Sequence, residues 1–387
     1  MITLRLMQRT KFNAIAMATA GALALAACSS SGGDAGKTSE TPPPGPTSAS
    51  TTATSSVPAP TSSAPAPAGD ELFPAGTDLS GTKIGVAFDI GGRGDHSFND
   101  LAARVDDAAK ALGADVQEAT PTAGEPDSAK EERLRTLADA GYNPIVAVGF
   151  VYAEEVQKVA KEYPDVHFAN VDGFLDAPNL TNLSFSVNEA SYLVGLAAGL
   201  KTKSNHVGFV GGVKGPVIDP FGAGFQAGVK AVNPAAKVDI VFISDKSDDS
   251  AFKNPAGGKT KATALYDAGA DIIFCAAGSS GDGVFEAAKA AGKQAIGVDS
   301  DQYNSVDPAL KDVIITSSLK KVDVAVADFV LAVKAGTVKA GFATYDLKNG
   351  GVGYSTSGGF IDDIKDQIDA EAAKVISGEI KVPSELK

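Results

Sequence analysis

From Thr82 onward the chain alternates between short apolar runs and longer segments whose apolar residues recur every three or four positions. The runs read as buried strands, and the periodic segments as helices with one apolar face. KIGVAFD is the first strand and SFNDLAARVDDAAKALG the helix behind it. Ser97 stands at the cap position, Asp100 three residues on completes a variant capping box, and Gly113 ends the helix. ADVQEA, NPIVAVGF and VHFANVD continue as strands, separated by the helices SAKEERLRTLADAG and AEEVQKVAKEYP. A second series has strands HVGFVGG, KVDIVFI, DIIFCAA and QAIGVDSD, with helices FGAGFQAGVKAVNP, GGKTKATALYDAGA and GDGVFEAAKAAG between them. Apolar strands flanked by helices belong to parallel sheets covered on both faces, and right-handed crossovers make them doubly wound α/β layers. Two such series predict two similar lobes. The pattern places lobe 1 at 81–190, with about 302–340 crossing back to it, and lobe 2 at 191–301 with about 341–387. SVNEASYLVGLAAGLKTKS makes the first connection.

The residues before this series follow other rules. MITLRLMQRTK is a basic leader, and AIAMATAGALALAAC is a short apolar stretch of small residues ending in Leu25-Ala26-Ala27-Cys28. Residues 1–28 therefore read as a lipoprotein signal peptide, with Cys28 as the lipidated new N-terminus and the protein anchored to a membrane from the extracytoplasmic side. Residues 29–80 are mostly Ser, Thr, Pro, Ala and Gly. They carry few large apolar groups to offset ordering entropy, so they read as a disordered tether. About 305 residues remain, enough for two lobes with their own cores.

Composition narrows the function. With 34 Lys+Arg against 47 Asp+Glu the formal charge is −13, and no basic stripe appears, which disfavours nucleic acid and other polyanions. Cys275 is the one cysteine after Cys28, set in an apolar run as a small hydrophobe. Three scattered histidines and no clustered cysteines give no metal or cofactor site. No G-x-S-x-G, H-E-x-x-H or Walker motif is present, so catalysis finds no support.

Open α/β sheets bind ligands at the carboxyl ends of their strands. Those positions hold Asp89, Gly149 with Phe150, Asp172, Gly211 with Gly212, Gly278 and Asp299. The loop DIGGRGDHSFND has the glycines of a phosphate cradle but not its charge. Asp89, Asp95, Asp172 and Asp299 would repel a phosphate, so a neutral, hydroxyl-rich ligand fits better. Phe98 and Phe252, one from each lobe, are placed to sandwich a planar base. Each candidate has a structural alternative. Asp95 turns a loop, Phe98 makes a core contact, Phe252 anchors its loop, Asn99 is a surface helix residue, and Lys320 is a solvated lysine at a helix start.

DIGGRGDHSFND also resembles the D-x-G-x-x-D-x-S-F-N signature of the basic membrane protein (BMP) family, the substrate-binding lipoproteins of ABC transporters that include purine nucleoside receptors. SFSVNEASYLVGLAAGL, DPFGAGFQAGVKAVNP, SAFKNPAGGKTKATALYDAGADIIFCAAGSSGDGVFEAA, AIGVDSDQ and ITSSLKKVDVAV are similar to its segments, in order, over about 83–380. The resemblance implies a type I periplasmic-binding-protein fold, two doubly wound parallel-sheet lobes joined by a hinge, closing on a small ligand. It implies no enzyme activity and no cofactor. It further implies a monomer working with an ABC transporter permease. A nucleoside base would stack between Phe98 and Phe252, with Asp172 and Asn99 near it. Asp299 and Lys320 would hold the ribose, Gly278 would pack beside it, and Asp89 and Asp95 would complete the first loop. A sugar or another small polar ligand, or a sensing role, remains the alternative.

Overall fold

The computed structural model describes residues 72–122, 124–245 and 249–386. The signal-peptide reading with Cys28, and the tether as far as residue 71, lie outside the described residues. The tether's expected end at residue 80 moves back. Phe73 and Leu79 are buried in the first lobe's core, and the Leu79 N–H donates to Leu112 O at 2.9 Å. The large apolar residues of ELFPAGTDLS already belong to the fold.

The first series builds β1 (Lys83–Ala87), α1 (Phe98–Ala111), β2 (Asp115–Ala119), α2 (Asp127–Asp139), β3 (Ile145–Val148), α3 (Ala153–Glu162), β4 (Phe168–Val171) and β5 (Leu180–Phe185). The chain then enters α4 (Val187–Lys201), β6 (His206–Val213), α5 (Asp219–Val232), β7 (Lys237–Ser244), α6 (Pro255–Asp267), β8 (Ile272–Ala276), α7 (Gly281–Ala291), β9 (Gln294–Asp299), α8 (Gln302–Ser305) and β10 (Ile314–Lys320). Last come α9 (Val322–Lys334), β11 (Gly341–Tyr345), β12 (Val352–Tyr354) and α10 (Lys365–Ile376). The strands form two six-stranded sheets, ordered β11-β5-β4-β3-β1-β2 and β12-β10-β9-β8-β6-β7. Every pairing is parallel except β12 against β10.

Alternate residues of each buried strand feed opposite faces, as the pleat requires. In β3, Val146 and Val148 join the core under α1 and α9, while Ile145 and Ala147 join the one under α2 and α3. In β8, Phe274 packs toward α5, and Ile273 and Cys275 toward α6 and α7. Cys275 is buried as a free thiol, and burial pushes its pKa up.

The expected crossings shift. The segment after residue 302 stays in lobe 2, because β10 pairs with β9 in register Ser318↔Val298. The chain returns to lobe 1 at Lys321, where α9 inserts Val322, Val326 and Phe329 into the first core. β11 then pairs with β5 in lobe 1, and β12 is back in lobe 2. The hinge thus has three strands of chain, laced together: Ser186 N donates to Tyr345 O at 2.8 Å and Lys321 N to Gly351 O at 2.9 Å. The rings of Phe185 and Tyr345 stack at 5.3 Å beside them.

Candidate functional site

The carboxyl ends of β1, β3 and β4 face those of β6, β8 and β9 across a cavity between the lobes. Asp89, Asp95, Phe98, Asn99, Asp172, Phe252, Gly278, Asp299 and Lys320 all line it. The sequence thus placed its nine candidates in one cavity. It did not single out Val217, Ile218 and Phe221, which add an apolar wall from lobe 2, and it named Phe150 only as a strand end. The run 216–218 after β6 carries a signal: apolar residues following a strand end, outside any helix. Phe221 looked like an ordinary core position of α5.

Lobe 1 supplies a tight polar network. Asn99 Nδ2 donates to Asp89 Oδ1 at 2.7 Å and to Asp95 Oδ2 at 2.9 Å. Two carboxylates fix the amide nitrogen, which leaves Oδ1 as the free acceptor; it is buried without a partner among the described residues. Asp95 also accepts from the backbone N–H groups of Ser97, Asn99 and Asp100. Its lone pairs are committed to the start of α1, although burial raises its pKa. The capping box therefore differs from expectation. Ser97 makes no side-chain cap; Asp95 takes that role, and Asp100 reaches back to the N–H groups of Gly94 and His96. A carboxylate two residues earlier is the stronger acceptor for the helix's free N–H groups.

Asp172 and Asp299 occupy matching places, at the ends of β4 and β9, with φ of 61° and 62°. Left-handed conformations of this kind cost energy outside glycine and concentrate at functional sites. Lys320 Nζ reaches across the lobes to Asp172 Oδ2 at 2.5 Å. The same ammonium lies 4.6 Å from the ring centre of Phe98 and 5.0 Å from that of Phe185. Lys320 is thus the buried last residue of β10, not a solvated residue at a helix start. Asp299 Oδ2 accepts from Ser97 Oγ at 3.0 Å, while Oδ1 is buried and unpaired. Burial pushes Asp299 up to about 6, opposed by Lys320 and reinforced by Asp172.

Phe252 is held from behind. Ser279 Oγ donates to Phe252 O, and Gly278, at φ 54°, lets the turn after β8 lie against that carbonyl. A side chain at Gly212 would collide with the Phe252 ring, so the glycine after β6 makes the ring's seat. Phe150 meets Phe252 edge-on across the cleft, at 6.1 Å and 76°. The cavity therefore combines aromatic faces from both lobes with two buried acceptors that lack a donor. Among the described residues that line it there is no Ser, Thr, Cys or His.

Comparison with known proteins agrees. The family model described as ABC transporter substrate-binding protein PnrA-like (Bmp) matches residues 82–385. A CD4+ T-cell-stimulating antigen of Listeria innocua is 38% identical over 333 residues, 80% of this chain and 90% of that protein. The ABC transporter nucleoside-binding protein BmpA of Lactococcus lactis is 36% identical over 259 residues, 63% of this chain and 72% of that one. The solved structure of an ABC transporter solute-binding protein from Aeropyrum pernix superimposes with a TM-score of 0.67 at 29% identity, covering 79% of this chain and 94% of its own. The chain belongs to the Bmp family of ABC-transporter substrate-binding proteins, which bind solutes and are not enzymes.

Proposed function

We propose that the cavity binds a nucleoside, with a purine as the base, and delivers it to an ABC importer. The observation that carries this reading is the pair of unpaired buried acceptors, Asn99 Oδ1 and Asp299 Oδ1, in a cavity walled by phenylalanines. An unpaired buried acceptor costs about 1–3 kcal/mol, so each awaits a donor from the ligand. A nucleoside has an apolar, planar base with N–H groups at one end and hydroxyls at the other. Asp299 and Lys320 receive the sugar hydroxyls. Asn99, held by Asp89 and Asp95, meets the base edge. Phe252 stacks on one face of the base, and Phe98 on the other with the ring face turned from Lys320. Four carboxylates against one ammonium at this cavity exclude a phosphorylated ligand. The name of the Lactococcus lactis relative supports the same ligand class.

The protein acts as a monomer, lipid-anchored through Cys28 on the extracytoplasmic face, with the stretch after Cys28 as a tether that lets it reach its permease. A thermal-shift panel tests the ligand. Purine nucleosides raise the melting temperature through binding linkage, while the matching 5′-monophosphates and free ribose do not. A rise with ribose alone, or with the nucleotide as strongly as the nucleoside, contradicts the reading.

A further inference from the structure

The turn between β1 and α1 makes a second set of contacts across the cleft, in which Asp299 is the one residue that also lines the ligand cavity. His96 lies at φ 55°, and its carbonyl faces lobe 2. Three lobe-2 side chains donate to that one oxygen: Ser300 Oγ at 2.7 Å, Ser305 Oγ at 3.0 Å and Gln302 Nε2 at 3.3 Å. One residue on, the fully buried Ser97 Oγ stands 3.1 Å from Val298 O and 3.0 Å from Asp299 Oδ2, so its single proton serves these two lobe-2 acceptors.

Each half is preformed by its own lobe. On the lobe-1 side, Asp100 holds the N–H groups of Gly94 and His96, and Asp95 holds that of Ser97. On the lobe-2 side, Gln302 accepts from Val298 N at 2.8 Å and its own N–H is held by Ser317 Oγ at 3.1 Å. Neither half has to be ordered by the other, so little entropy is lost when they meet. His96, Ser300 and Ser305 do not line the ligand cavity; they line a separate groove on the other side of Asp299.

We propose that His96 and Ser97 are positioning residues that clasp the two lobes, and that this clasp closes a fraction of the protein before any ligand is bound. The fold then holds a share of its binding-competent state in advance, which raises apparent affinity by removing part of the cost of closure. The clasp needs no assumption about the ligand.

The test is the inter-lobe distance distribution of the ligand-free, full-length protein. Single-molecule energy transfer reads it between fluorophores at exposed Lys161 in lobe 1 and exposed Ala290 in lobe 2. The variant is Ser300→Ala/Ser305→Ala, which removes two donors from sites that are half-buried and exposed, so the lobe itself keeps its fold. The wild type shows a closed population. In the variant the closed-to-open ratio falls about thirtyfold, the yield of two hydrogen bonds at their usual net strength, with an unchanged melting temperature. No closed population in the ligand-free wild type overturns the proposal. A ratio unmoved by the double substitution does so too, whatever happens to the melting temperature.

Discussion

Asp106 is a carboxyl on α1 buried to 1% exposure, with Oδ2 unpaired, and it does not touch the ligand cavity. Burial, helped by Glu118 and Asp107 and opposed by Arg93 and Lys110, raises it from 3.8 to about 8. It is therefore protonated in the native lobe at neutral pH and ionised in the unfolded chain. An acid whose pKa is raised by folding makes the native state bind more protons. Stability then falls as pH rises, from about pH 4 to about pH 8. At pH 7.5 the full linkage is about 5 kcal/mol. Asp106→Asn keeps the shape of the neutral acid and removes that linkage. Its own unpaired amide takes back about 1–3 kcal/mol, leaving a gain of about 2–4 kcal/mol. Urea unfolding at a series of pH values reads this directly, through a midpoint shift at constant slope. The gain is expected at pH 7.5 and absent by pH 4, where the wild type no longer bears the linkage. A variant that is less stable at pH 7.5, or a difference that does not change with pH, would refute the reasoning.

Other perturbations address the site. Phe252→Ala removes one stacking face and weakens nucleoside affinity by about one to two decades in isothermal calorimetry, on the 1–3 kcal/mol that stacked bases usually show. Gly212→Val drives a side chain into the Phe252 ring, so affinity drops while circular dichroism still reports a folded protein. Lys320→Met leaves Asp172 as an uncompensated charge and lowers stability by about 3–5 kcal/mol. Adding Asp172→Asn restores most of that stability but not binding, and a double variant that still binds would remove Lys320 from the ligand. Cys28→Ser abolishes incorporation of labelled palmitate in growing cells; continued labelling would place the acyl chain elsewhere.

Much of this was legible from residue patterns, because parallel strands announce themselves as apolar runs and their last residues are where such sheets hold ligands. Asp89, Asp172, Gly278 and Asp299 were found by that rule alone. Phe221 was not, since its place in α5 gives it the periodicity of a core residue while one side of the ring borders the cavity. The crossing at Lys321 was read about twenty residues early. The polar stretch after β9 looks like a connection between lobes, and nothing local reveals that Ile314–Lys320 pairs back onto β9. The cap at α1 was assigned to Ser97 by spacing. The structure gives it to Asp95 and turns the serine toward the other lobe, a choice set by a contact about 200 positions away in sequence. Contacts of that range leave no periodic trace.

The central claim is that the inter-lobe cavity holds a purine nucleoside by its base and its sugar together. Calorimetric titration of the protein, refolded to strip any carried ligand, with inosine, guanosine, adenosine, uridine and ribose tests it most directly. Tight one-to-one binding of a purine nucleoside, with none for ribose, is the expected result. Binding of ribose alone, or of no compound in the series, would contradict the claim.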